Sequence, residues 1–421
     1  MTQKTARFFL ALAVACLVRA GHCQDAGTLR IEALDRSGLL ARDPEAVLYL
    51  GADFNGWNPA GTAQSGWLDT DGARTGWVFR VPREAVGGGG EFKFTRGSWA
   101  TVETGAGGAM LENRRTGRID WDTPGGPVLR CEVLGFEDLA GGGDAEAGPT
   151  VVGGTLEVWE LESEVLGEAR TVRVWLPESY ARDPERAFGV FYFHDGQNVF
   201  DARTSAFGFE WEADEAVTAL VSEGAIGAWI LVGIDNSGVN RSRDYLPYPP
   251  GERAPGVPGG GADAYVAFLV DELMPAVAER YRVLEGPGHA GIGGSSLGGV
   301  VTLHAIMTRP GVFGRALIES PSLWVGDGRL IRSIELHDQS WPERVYLGMG
   351  DAESGDEGDS RRLVELTHLT SGFLSMRGLG GDRLMTVIGA GQRHNERAWR
   401  ERLPEALRFL LGGEEKEPEE L

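Results

Sequence analysis

Residues 294–298 read Gly-Ser-Ser-Leu-Gly and lie between two segments with different hydrophobic patterns. The small apolar run 290–293 before them predicts a buried strand, and residues 300–307 after them predict a helix. A tight turn from strand to helix raises the central serine hydroxyl above a sheet, and the flanking glycines allow the crowded backbone. We therefore interpret Ser296 as a candidate nucleophile. The alternative is a glycine-rich turn whose serine has no chemical role.

The chain around this turn, from about residue 151, alternates strand-like runs with helix-like runs. Such alternation is typical of an α/β protein with a mostly parallel sheet and helices on both faces. Residues 190–193 form a continuous apolar run, as expected of a buried parallel strand. Residues 170–176 alternate like an antiparallel edge strand. Residues 264–281 carry one apolar helical stripe, which Pro275 is expected to kink.

A serine hydroxyl needs a base that removes its proton before it attacks. Where a serine lies on such a turn, its partners follow in the order nucleophile, acid, base, so the histidine must come late. Three histidines come well after the turn. His368 lies inside a helical run, and His337 precedes the strand expected to carry the acid. His394 follows the strand-like run 384–388 and a glycine-rich turn, so we predict it as the base; the alternative is a surface histidine.

The acidic partner is expected on the loop 348–356, which follows the strand-like run 344–347. Three carboxylates compete there. We favour Glu353, then Asp351, as the group that orients the imidazole and stabilises its charged form. The third, Asp356, is interpreted as a solvated loop charge.

The negative oxygen that forms when a serine attacks a carbonyl group needs two backbone N–H donors. One is predicted at Leu297, directly after the serine, where a helix N-terminus also favours negative charge. The other is predicted on the loop 194–198, which reads His-Asp-Gly-Gln-Asn. We interpret His194 and Asp195 as hydrogen-bonding residues that hold this turn.

Four segments, taken together and in this order, resemble the putative-esterase family. They are 194–198, 294–298, the Glu-Ser-Pro-Ser sequence at 319–322, and 394–399, which begins His-Asn-Glu and ends in Trp. The family includes enterochelin esterases, esterase D, feruloyl esterases and mycolyltransferases. The resemblance extends from about residue 155 to residue 411 and implies an α/β-hydrolase that acts on carboxylic esters. It also implies Gln197 as the second donor to the oxyanion.

The loop 194–198 departs from the plain His-Gly loop of typical feruloyl esterases and is nearer to enterochelin-esterase-like hydrolases. The resemblance therefore implies a serine ester hydrolase of that type, acting without a cofactor on a small-molecule or polysaccharide-linked ester. Three alternatives stay open: a feruloyl or acetyl esterase on plant or storage polysaccharide, an acyltransferase to a sugar, and a polysaccharide-binding protein with an idle hydrolase domain. The sequence has no metal-ligand spacing and no dinucleotide fingerprint in a strand–helix context.

The Pro/Gly-rich segment 235–262 is too long for an idle connection. We predict that it forms a wall of the substrate pocket, with Arg241 facing an anionic group and Tyr245 beside it. The alternative for its arginines is an ion pair with Asp244 or a nearby glutamate. Trp324, which follows a predicted strand, is a further candidate for substrate binding.

Residues 28–130 contain short apolar runs separated by turn residues, with no sustained helical period, which predicts a small β-sandwich. The segment 51–58, Gly-Ala-Asp-Phe-Asn-Gly-Trp-Asn, resembles the glycogen-binding (family 48) carbohydrate-binding domain. This resemblance implies an Ig-like sandwich that contacts a glucan or xylan through Trp57, Lys93 and Trp99. The alternative is that these tryptophans belong to the core.

The chain has 421 residues and a net charge of −22, a field that repels phosphate backbones and argues against a nucleic-acid partner. Residues 1–23 combine basic residues with an apolar run too short to span a bilayer. They predict a signal peptide and export, periplasmic or extracellular, with lipid attachment at Cys16 as the alternative; no later run predicts a membrane span. A Gly-rich linker at 131–154, a catalytic domain at 155–412 and an acidic tail at 413–421 complete the predicted organisation.

Overall fold

The computed structural model describes residues 27–413 apart from residues 56–57, 71, 88–89, 98–100, 106–110, 112, 137–150, 206–208, 252–256 and 355–356. The predicted signal peptide, the acidic residues after Gly413, Trp57 and Trp99 therefore lie outside the described residues. The chain divides into two compact units, Met1–Gly143 and Asp144–Leu421. Within the described part of the chain, every helix falls short of the length and apolarity needed to cross a bilayer.

The N-terminal unit consists mainly of short strands, as its turn-rich sequence predicts. The strands are β1 (Thr28–Asp35), β2 (Tyr49–Ala52), β3 (Thr62–Ala63), β4 (Gly66–Thr70), β5 (Ala73–Pro82), β6 (Glu91–Thr95), β7 (Glu103–Thr104), β8 (Arg114–Arg115), β9 (Val128–Val133) and β10 (Gly135–Phe136). Helices α1 (Leu39–Arg42) and α2 (Arg83–Val86) and a 3₁₀ turn at Asp53–Asn55 lie between them. In the described residues the strands form sheets with the orders β4-β5-β1-β9 and β3-β2-β6-β8, and β7 pairs with β10.

The two four-stranded sheets of this unit contribute to one hydrophobic core. Alternate side chains of β1 and β5 are buried in it together with side chains of β2 and β6. The ring centroids of Phe79 on β5 and Phe94 on β6 lie 5.5 Å apart. Because side chains alternate across a strand, each sheet buries one row of apolar residues in the shared core. The described N-terminal unit is therefore stabilised by packing between its sheets.

The end of the N-terminal unit differs from the prediction. The predicted boundary at residue 130 falls inside β9, whose Cys131 and Val133 are buried in the core. The linker predicted at 131–154 is therefore shorter, because its first residues belong to β9 and β10 and Gly154 already begins the first strand of the next unit.

Lys93, predicted to contact a sugar, lies in the interior of the N-terminal unit. It is 3% exposed on β6, and its Nζ donates a hydrogen bond to the Leu111 carbonyl oxygen at 2.6 Å. A buried ammonium group requires such partners. The prediction that Lys93 contacts a sugar is therefore corrected: its ammonium group binds a carbonyl oxygen inside the unit.

The C-terminal unit alternates strands and helices. Its strands are β11 (Gly154–Ser163), β12 (Glu168–Pro177), β13 (Gly189–His194), β14 (Trp229–Ile234), β15 (Ala290–Ser295), β16 (Arg315–Glu319), β17 (Arg344–Gly350) and β18 (Leu384–Gly389). Its α-helices are α3 (Glu178–Arg182), α4 (Ala213–Ser222), α5 (Arg241–Tyr245), α6 (Ala262–Ala267), α7 (Met274–Arg280), α8 (Leu297–Thr308), α9 (Arg329–Leu336), α10 (Glu357–Met376) and α11 (Glu396–Leu411). Shorter 3₁₀ turns lie at Gly196–Asn198, Gly238–Asn240, Pro287–His289, Val325–Gly328 and Gly381–Arg383, and a π-helical turn lies at Phe268–Leu273.

The described strands of this unit form one eight-stranded sheet with the order β11-β12-β14-β13-β15-β16-β17-β18. The sheet is mixed, because β12 is antiparallel to both β11 and β14, whereas the remaining pairs are parallel. The prediction of a mostly parallel sheet is confirmed. The prediction that residues 170–176 form an edge strand is wrong, because β11 pairs along the outer side of β12 and takes the edge position.

Apolar layers cover both faces of this sheet. On β13, Val190 and Tyr192 belong to one core, whereas Phe191 and Phe193 belong to a second core that contains Trp399 of α11. Because side chains alternate, only a strand buried on both faces requires a continuous apolar run. The sequence of β13 has this pattern.

The helix predicted at 264–281 is interrupted in the structure. It consists of α6, the π-helical turn Phe268–Leu273 and α7, and Pro275 lies at the start of α7. Proline has no N–H to donate to the preceding turn. The irregularity predicted at Pro275 is thus present as a change of helix type just before it.

Strand β13 lies where the strand order reverses: the chain continues from β13 to β14 on one side and then crosses over to β15 on the other. It pairs with β14 on one side and with β15 on the other, and all three strands run parallel. In open α/β sheets, ligands bind at such a point, outside the carboxyl ends of the strands. The loops that follow β13 and β15 therefore flank the place where this fold is expected to hold a ligand.

Candidate active site

Ser296 lies at the carboxyl end of β15 and is the N-cap residue of α8. Its backbone has φ 58° and ψ −119°, a conformation that non-glycine residues rarely adopt and that costs about 1–3 kcal/mol. Its N–H donates to the Glu319 carbonyl oxygen at 3.0 Å, and its Oγ lies 3.4 Å from Oγ of Ser322. Ser296 is thus held in a strained turn at the end of β15 by a hydrogen bond to the end of the neighbouring strand β16.

The glycines on either side of Ser296 are required by a close neighbour. A Cβ atom added at Gly294 would lie 3.0 Å from Cβ of His194, and one added at Gly298 would lie 3.3 Å from the same atom. His194 ends β13, so the two loops approach each other closely at the change of direction in the sheet. Larger side chains at these positions would push the loop after β13 away from the serine.

The two predicted oxyanion donors follow neighbouring parallel strands. Leu297 begins α8, where the first backbone N–H groups have no partner within the helix and the helix dipole favours negative charge. Gln197 lies in the 3₁₀ turn Gly196–Asn198, which follows β13. Since Phe193 on β13 pairs with Gly293 on β15, the structure brings the two turns side by side.

The predicted base and the favoured acid are in direct contact. Nδ1 of His394 lies 2.5 Å from Oε2 of Glu353. The other carboxylate oxygen of Glu353 accepts the Gly350 N–H at 2.7 Å and the Ser320 hydroxyl at 2.6 Å. Asp351, the second choice for the acid, is exposed and accepts the Gly391 N–H at 2.6 Å, so it holds the turn before His394.

The surroundings of Glu353 keep its carboxylate ionised. The residue is 6% exposed, and burial alone would raise its pKa. The charge of His394 and the hydrogen bonds from His394, Ser320 and Gly350 outweigh burial, so the pKa of Glu353 lies below its ordinary value. An ionised carboxylate at Nδ1 of an imidazole fixes which ring nitrogen carries the proton and leaves the other free to act as a base.

The segment predicted to line the substrate pocket supports the loop after β13. Arg241 donates from Nε and Nη2 to the two carboxylate oxygens of Asp195, both at 2.7 Å. Asn236 donates to the same carboxylate at 2.7 Å, and the Tyr245 hydroxyl accepts the Asp195 N–H at 3.2 Å. Tyr245 is 0% exposed, so the prediction that it binds substrate is corrected; a substrate contact of Arg241 stays a prediction.

We expect Arg241→Met to destabilise the protein by about 3–5 kcal/mol, because it leaves the buried charge of Asp195 without its ion-pair partner. Asp195 has φ 56°, so its backbone also depends on these contacts. The measurement is urea-induced unfolding. The matched control is Arg243→Met: Arg243 is 41% exposed, and such pairs contribute about 0–1 kcal/mol. Equal losses in the two variants would contradict the assignment.

His194 is a buried neutral histidine beneath this loop. Its Nδ1 lies 2.9 Å from the Tyr265 hydroxyl, and its Nε2 is buried without a hydrogen-bond partner among the described residues. Burial lowers its pKa to about 3, although Asp195 acts in the opposite direction. Since an unfolded histidine titrates near its ordinary value of about 6.5, the unfolded chain binds more protons between these two pH values.

Stability should therefore fall as the pH falls from about 6.5 towards 3, and His194 should contribute nothing above that window. We expect wild type to lose about 2 kcal/mol more than His194→Gln between pH 7 and pH 5. The measurement is urea unfolding at both pH values. The matched control is His368→Gln, which changes an exposed residue of α10. Parallel curves for wild type and His194→Gln would refute the prediction.

Trp324 lies after β16 and is half-buried, next to the 3₁₀ turn Val325–Gly328. The N–H of Gly326 in that turn donates to the Pro250 carbonyl oxygen at 2.8 Å. The loops after β14 and β16 therefore meet near the predicted substrate side. The role of Trp324 in binding stays a prediction.

Among the described residues, the carboxylates of Glu210, Asp214 and Glu215 lie close enough to share a cation, with oxygen atoms within 4.8 Å of one another. Burial raises the pKa of Asp214 to about 6. Burial and the charge of Asp214 raise the pKa of Glu215 to about 8. Both shifts favour the protonated form, which reduces the negative charge of the cluster. The cluster belongs to the start of α4, not to the loops that carry Ser296 and His394.

Sequence reasoning missed three residues that surround the acid: Ser320, Trp399 and Arg402. The Trp399 ring is edge-on to the His394 ring, with centroids 5.1 Å apart, and Arg402 forms a buried ion pair with Glu319 at 2.7 Å. Two of the three stand inside the family-like segments 319–322 and 394–399. Their types alone did not indicate a role, because the contacts join α11 to the end of β16.

The family described as “Putative esterase” matches residues 163–410. YbbA of Bacillus subtilis, an uncharacterized protein, is 25% identical over 248 residues, which cover 58% of this chain and 93% of YbbA. The siderophore triacetylfusarinine C esterase of Aspergillus fumigatus is 31% identical over 153 residues, 36% of this chain and 48% of that esterase.

Among solved structures, an IroE-like serine hydrolase from Shewanella oneidensis is similar to this chain, with a TM-score of 0.50 and 25% sequence identity. The similarity covers 61% of this chain and 80% of that one. The fold of the C-terminal unit is therefore α/β-hydrolase-like with a mixed sheet. Since the family match spans more than half of the sequence, the chain belongs to the putative esterase family and is a carboxylic ester hydrolase.

Proposed function

We propose that this protein is an exported serine ester hydrolase in which Ser296 is the nucleophile, His394 the base and Glu353 the acid. The observation that carries the proposal is the 2.5 Å contact between Glu353 and His394 at the same sheet edge as a strained, N-cap serine. The three residues follow β15, β17 and β18, whose carboxyl ends lie side by side with that of β16. The carboxyl ends of parallel strands in such a sheet are where ligands bind, which supports a joint role for the three residues.

The chemistry follows in two steps. His394 takes the proton from Ser296, whose oxygen attacks the ester carbonyl carbon, and the Leu297 and Gln197 amides stabilise the oxyanion. The carbon–oxygen bond to the alcohol then breaks, and His394 gives its proton to the leaving alcohol. Water attacks the acyl-enzyme by the same route in reverse and releases the acid and free Ser296.

The nucleophile is tested by covalent labelling. A fluorophosphonate should form one adduct, and peptide mass spectrometry should find it on Ser296. Ser295→Ala should still be labelled, because the Ser295 side chain is buried at the end of β15. A wild-type enzyme that hydrolyses p-nitrophenyl acetate but carries its label elsewhere would refute the assignment of Ser296.

We propose a siderophore-type ester as the substrate. Support comes from the loop at 194–198, which resembles enterochelin-esterase-like hydrolases, and from the relative named as a siderophore triacetylfusarinine C esterase. A panel of a catecholate trilactone, triacetylfusarinine C, methyl ferulate and acetylated xylan tests this. The highest kcat/KM is expected for a siderophore. A preference for methyl ferulate or acetylated xylan would replace it with the feruloyl or acetyl esterase alternative.

For the N-terminal unit we propose an Ig-like β-sandwich with a carbohydrate-binding role through Trp57 and Trp99. Its two four-stranded sheets with a shared core support the sandwich. Affinity electrophoresis in glycogen, starch or xylan tests binding, and unchanged mobility in all three gels would refute it.

Export is tested by N-terminal sequencing of the mature protein, with cleavage near residue 23 as the expected result.

A further inference from the structure

Ser320, the first residue after β16, occupies a crowded polar position. It is buried, and its backbone has φ 38°, a region that favours glycine. Its hydroxyl oxygen lies 2.6 Å from Oε1 of Glu353, 3.0 Å from Nε1 of Trp399, 3.1 Å from Nη2 of Arg402 and 3.3 Å from Oε1 of Glu319. Ser320 thus links the segment after β17, which carries Glu353, to helix α11, which carries Trp399 and Arg402.

The chemistry of these neighbours fixes the direction of each hydrogen bond. An indole and a guanidinium group can only donate, so Trp399 and Arg402 occupy the two acceptor positions of the Ser320 oxygen. The single hydroxyl proton must then go to a carboxylate. Oγ of Ser320 lies 2.6 Å from Oε1 of Glu353 and 3.3 Å from Oε1 of Glu319. Glu353, the nearer carboxylate by 0.7 Å, therefore receives the proton.

The other carboxylate already has its own donors. Oε1 of Glu319 accepts from Nε and Nη2 of Arg402, at 3.2 Å and 2.7 Å, and from the Ser320 N–H at 3.0 Å. Glu319 therefore has three donors besides the Ser320 hydroxyl, whose proton is left for Glu353. The backbone and the side chain of Ser320 therefore serve two different buried carboxylates.

This bond determines how Glu353 is presented to the base. Its Oε1 is held by the Ser320 O–H and the Gly350 N–H, which leaves Oε2 as the atom that faces His394. Trp399 adds a second connection, since the ring that donates to Ser320 also packs edge-on against the His394 ring at 88°. Ser320 thus contacts the acid directly and the base through one intervening ring.

We propose that Ser320 is a positioning residue of the triad, whose hydroxyl holds Glu353 as a carboxylate with Oε2 directed at His394. The inference rests on the proposed function. It predicts a defect in the chemical step, because without the hydroxyl the carboxylate no longer holds the imidazole in the orientation and tautomer that let it act as a base. The hydroxyl also stabilises the anionic form of the Glu353–His394 pair more than the form that carries an additional proton. Loss of the hydroxyl should therefore move protonation of the pair to higher pH.

The test variant is Ser320→Gly, which removes the hydroxyl and relieves the backbone, because glycine adopts φ 38° without strain. We expect kcat to fall about 10- to 100-fold while KM stays within about two-fold. The acid limb of kcat/KM against pH should move to higher pH. Urea unfolding of each variant shows that the protein measured is folded.

A second variant, Trp399→Phe, keeps a ring beside His394 but removes the donor that orients Ser320. It should show a smaller fall in kcat than Ser320→Gly, with the acid limb moved in the same direction. Wild-type kcat and an unmoved acid limb in folded Ser320→Gly would overturn the inference. So would a fall in kcat with an unmoved acid limb in both variants, since that is the result of a merely structural role.

Ser296→Ala, measured in parallel, distinguishes a failure of the positioning role of Ser320 from a failure of the proposed function. If Ser296→Ala is inactive and Ser320→Gly equals wild type, the positioning role fails and the proposed function stands. If Ser296→Ala hydrolyses esters at the wild-type rate, the proposed function fails whatever Ser320→Gly does.

Discussion

Ser296→Ala is expected to lower kcat/KM for p-nitrophenyl acetate by about 10⁵-fold, because no neighbouring group replaces the attacking oxygen and the binding contacts alone supply only a small residual rate. Alanine keeps the Cβ atom, so packing around the turn is retained. The measurement is steady-state hydrolysis at pH 8. Wild-type contamination of the variant must stay below about one part in 10⁵, because a larger trace would contribute more activity than the variant is expected to keep.

The matched control is Ser295→Ala. Ser295 is the last residue of β15 and precedes the nucleophile, yet its side chain is buried and has no part in the mechanism. We expect its kcat/KM to stay within about ten-fold of wild type. A loss confined to Ser295→Ala, or equal rates for Ser296→Ala and wild type, would contradict the assignment of Ser296 as the nucleophile.

Glu353→Gln should lower kcat by about 10³- to 10⁴-fold, with a small change in KM. The carboxylate accepts three hydrogen bonds, from His394, Gly350 and Ser320. A glutamine amide has one acceptor oxygen and one donor nitrogen, so at least one of these donors loses its partner. If the amide nitrogen faces Nδ1, the imidazole must carry its proton on the ring nitrogen that should act as the base.

The control for Glu353→Gln is Asp351→Asn, two residues away on the same loop. Asp351 is exposed and accepts the Gly391 N–H, a bond that the asparagine oxygen reproduces. We expect kcat within about three-fold of wild type for this variant. The opposite ranking of the two variants would make Asp351 the acid and would contradict the contact on which the proposed mechanism rests.

Much of this protein is predictable from local sequence. The continuous apolar run of β13 and the change of hydrophobic period around Ser296 predict the α/β class, because burial on one or both faces of an element determines which of its consecutive residues are apolar. The serine and the late histidine are predictable for the same reason: each stands in a short segment whose turn chemistry is visible in a few consecutive residues. The mixed sheet and the family match agree with the predicted α/β class and with an esterase, while the roles of Ser296 and His394 stay predictions.

Contacts between distant segments cannot be predicted from local sequence, because strand order determines which residues meet. Glu353 and Asp351 have the same chemistry and nearly the same position in the sequence, and only the sheet directs one inward to His394 and the other outward. The same holds for Arg241, which the fold pairs with Asp195 across 46 positions, and for Ser320, which it places between β17 and α11. Local sequence thus specifies the turn that carries the predicted nucleophile. Burial and strand order select the carboxylate that contacts His394, its supports and the edge strand, since these depend on free energies shared by residues far apart in the chain.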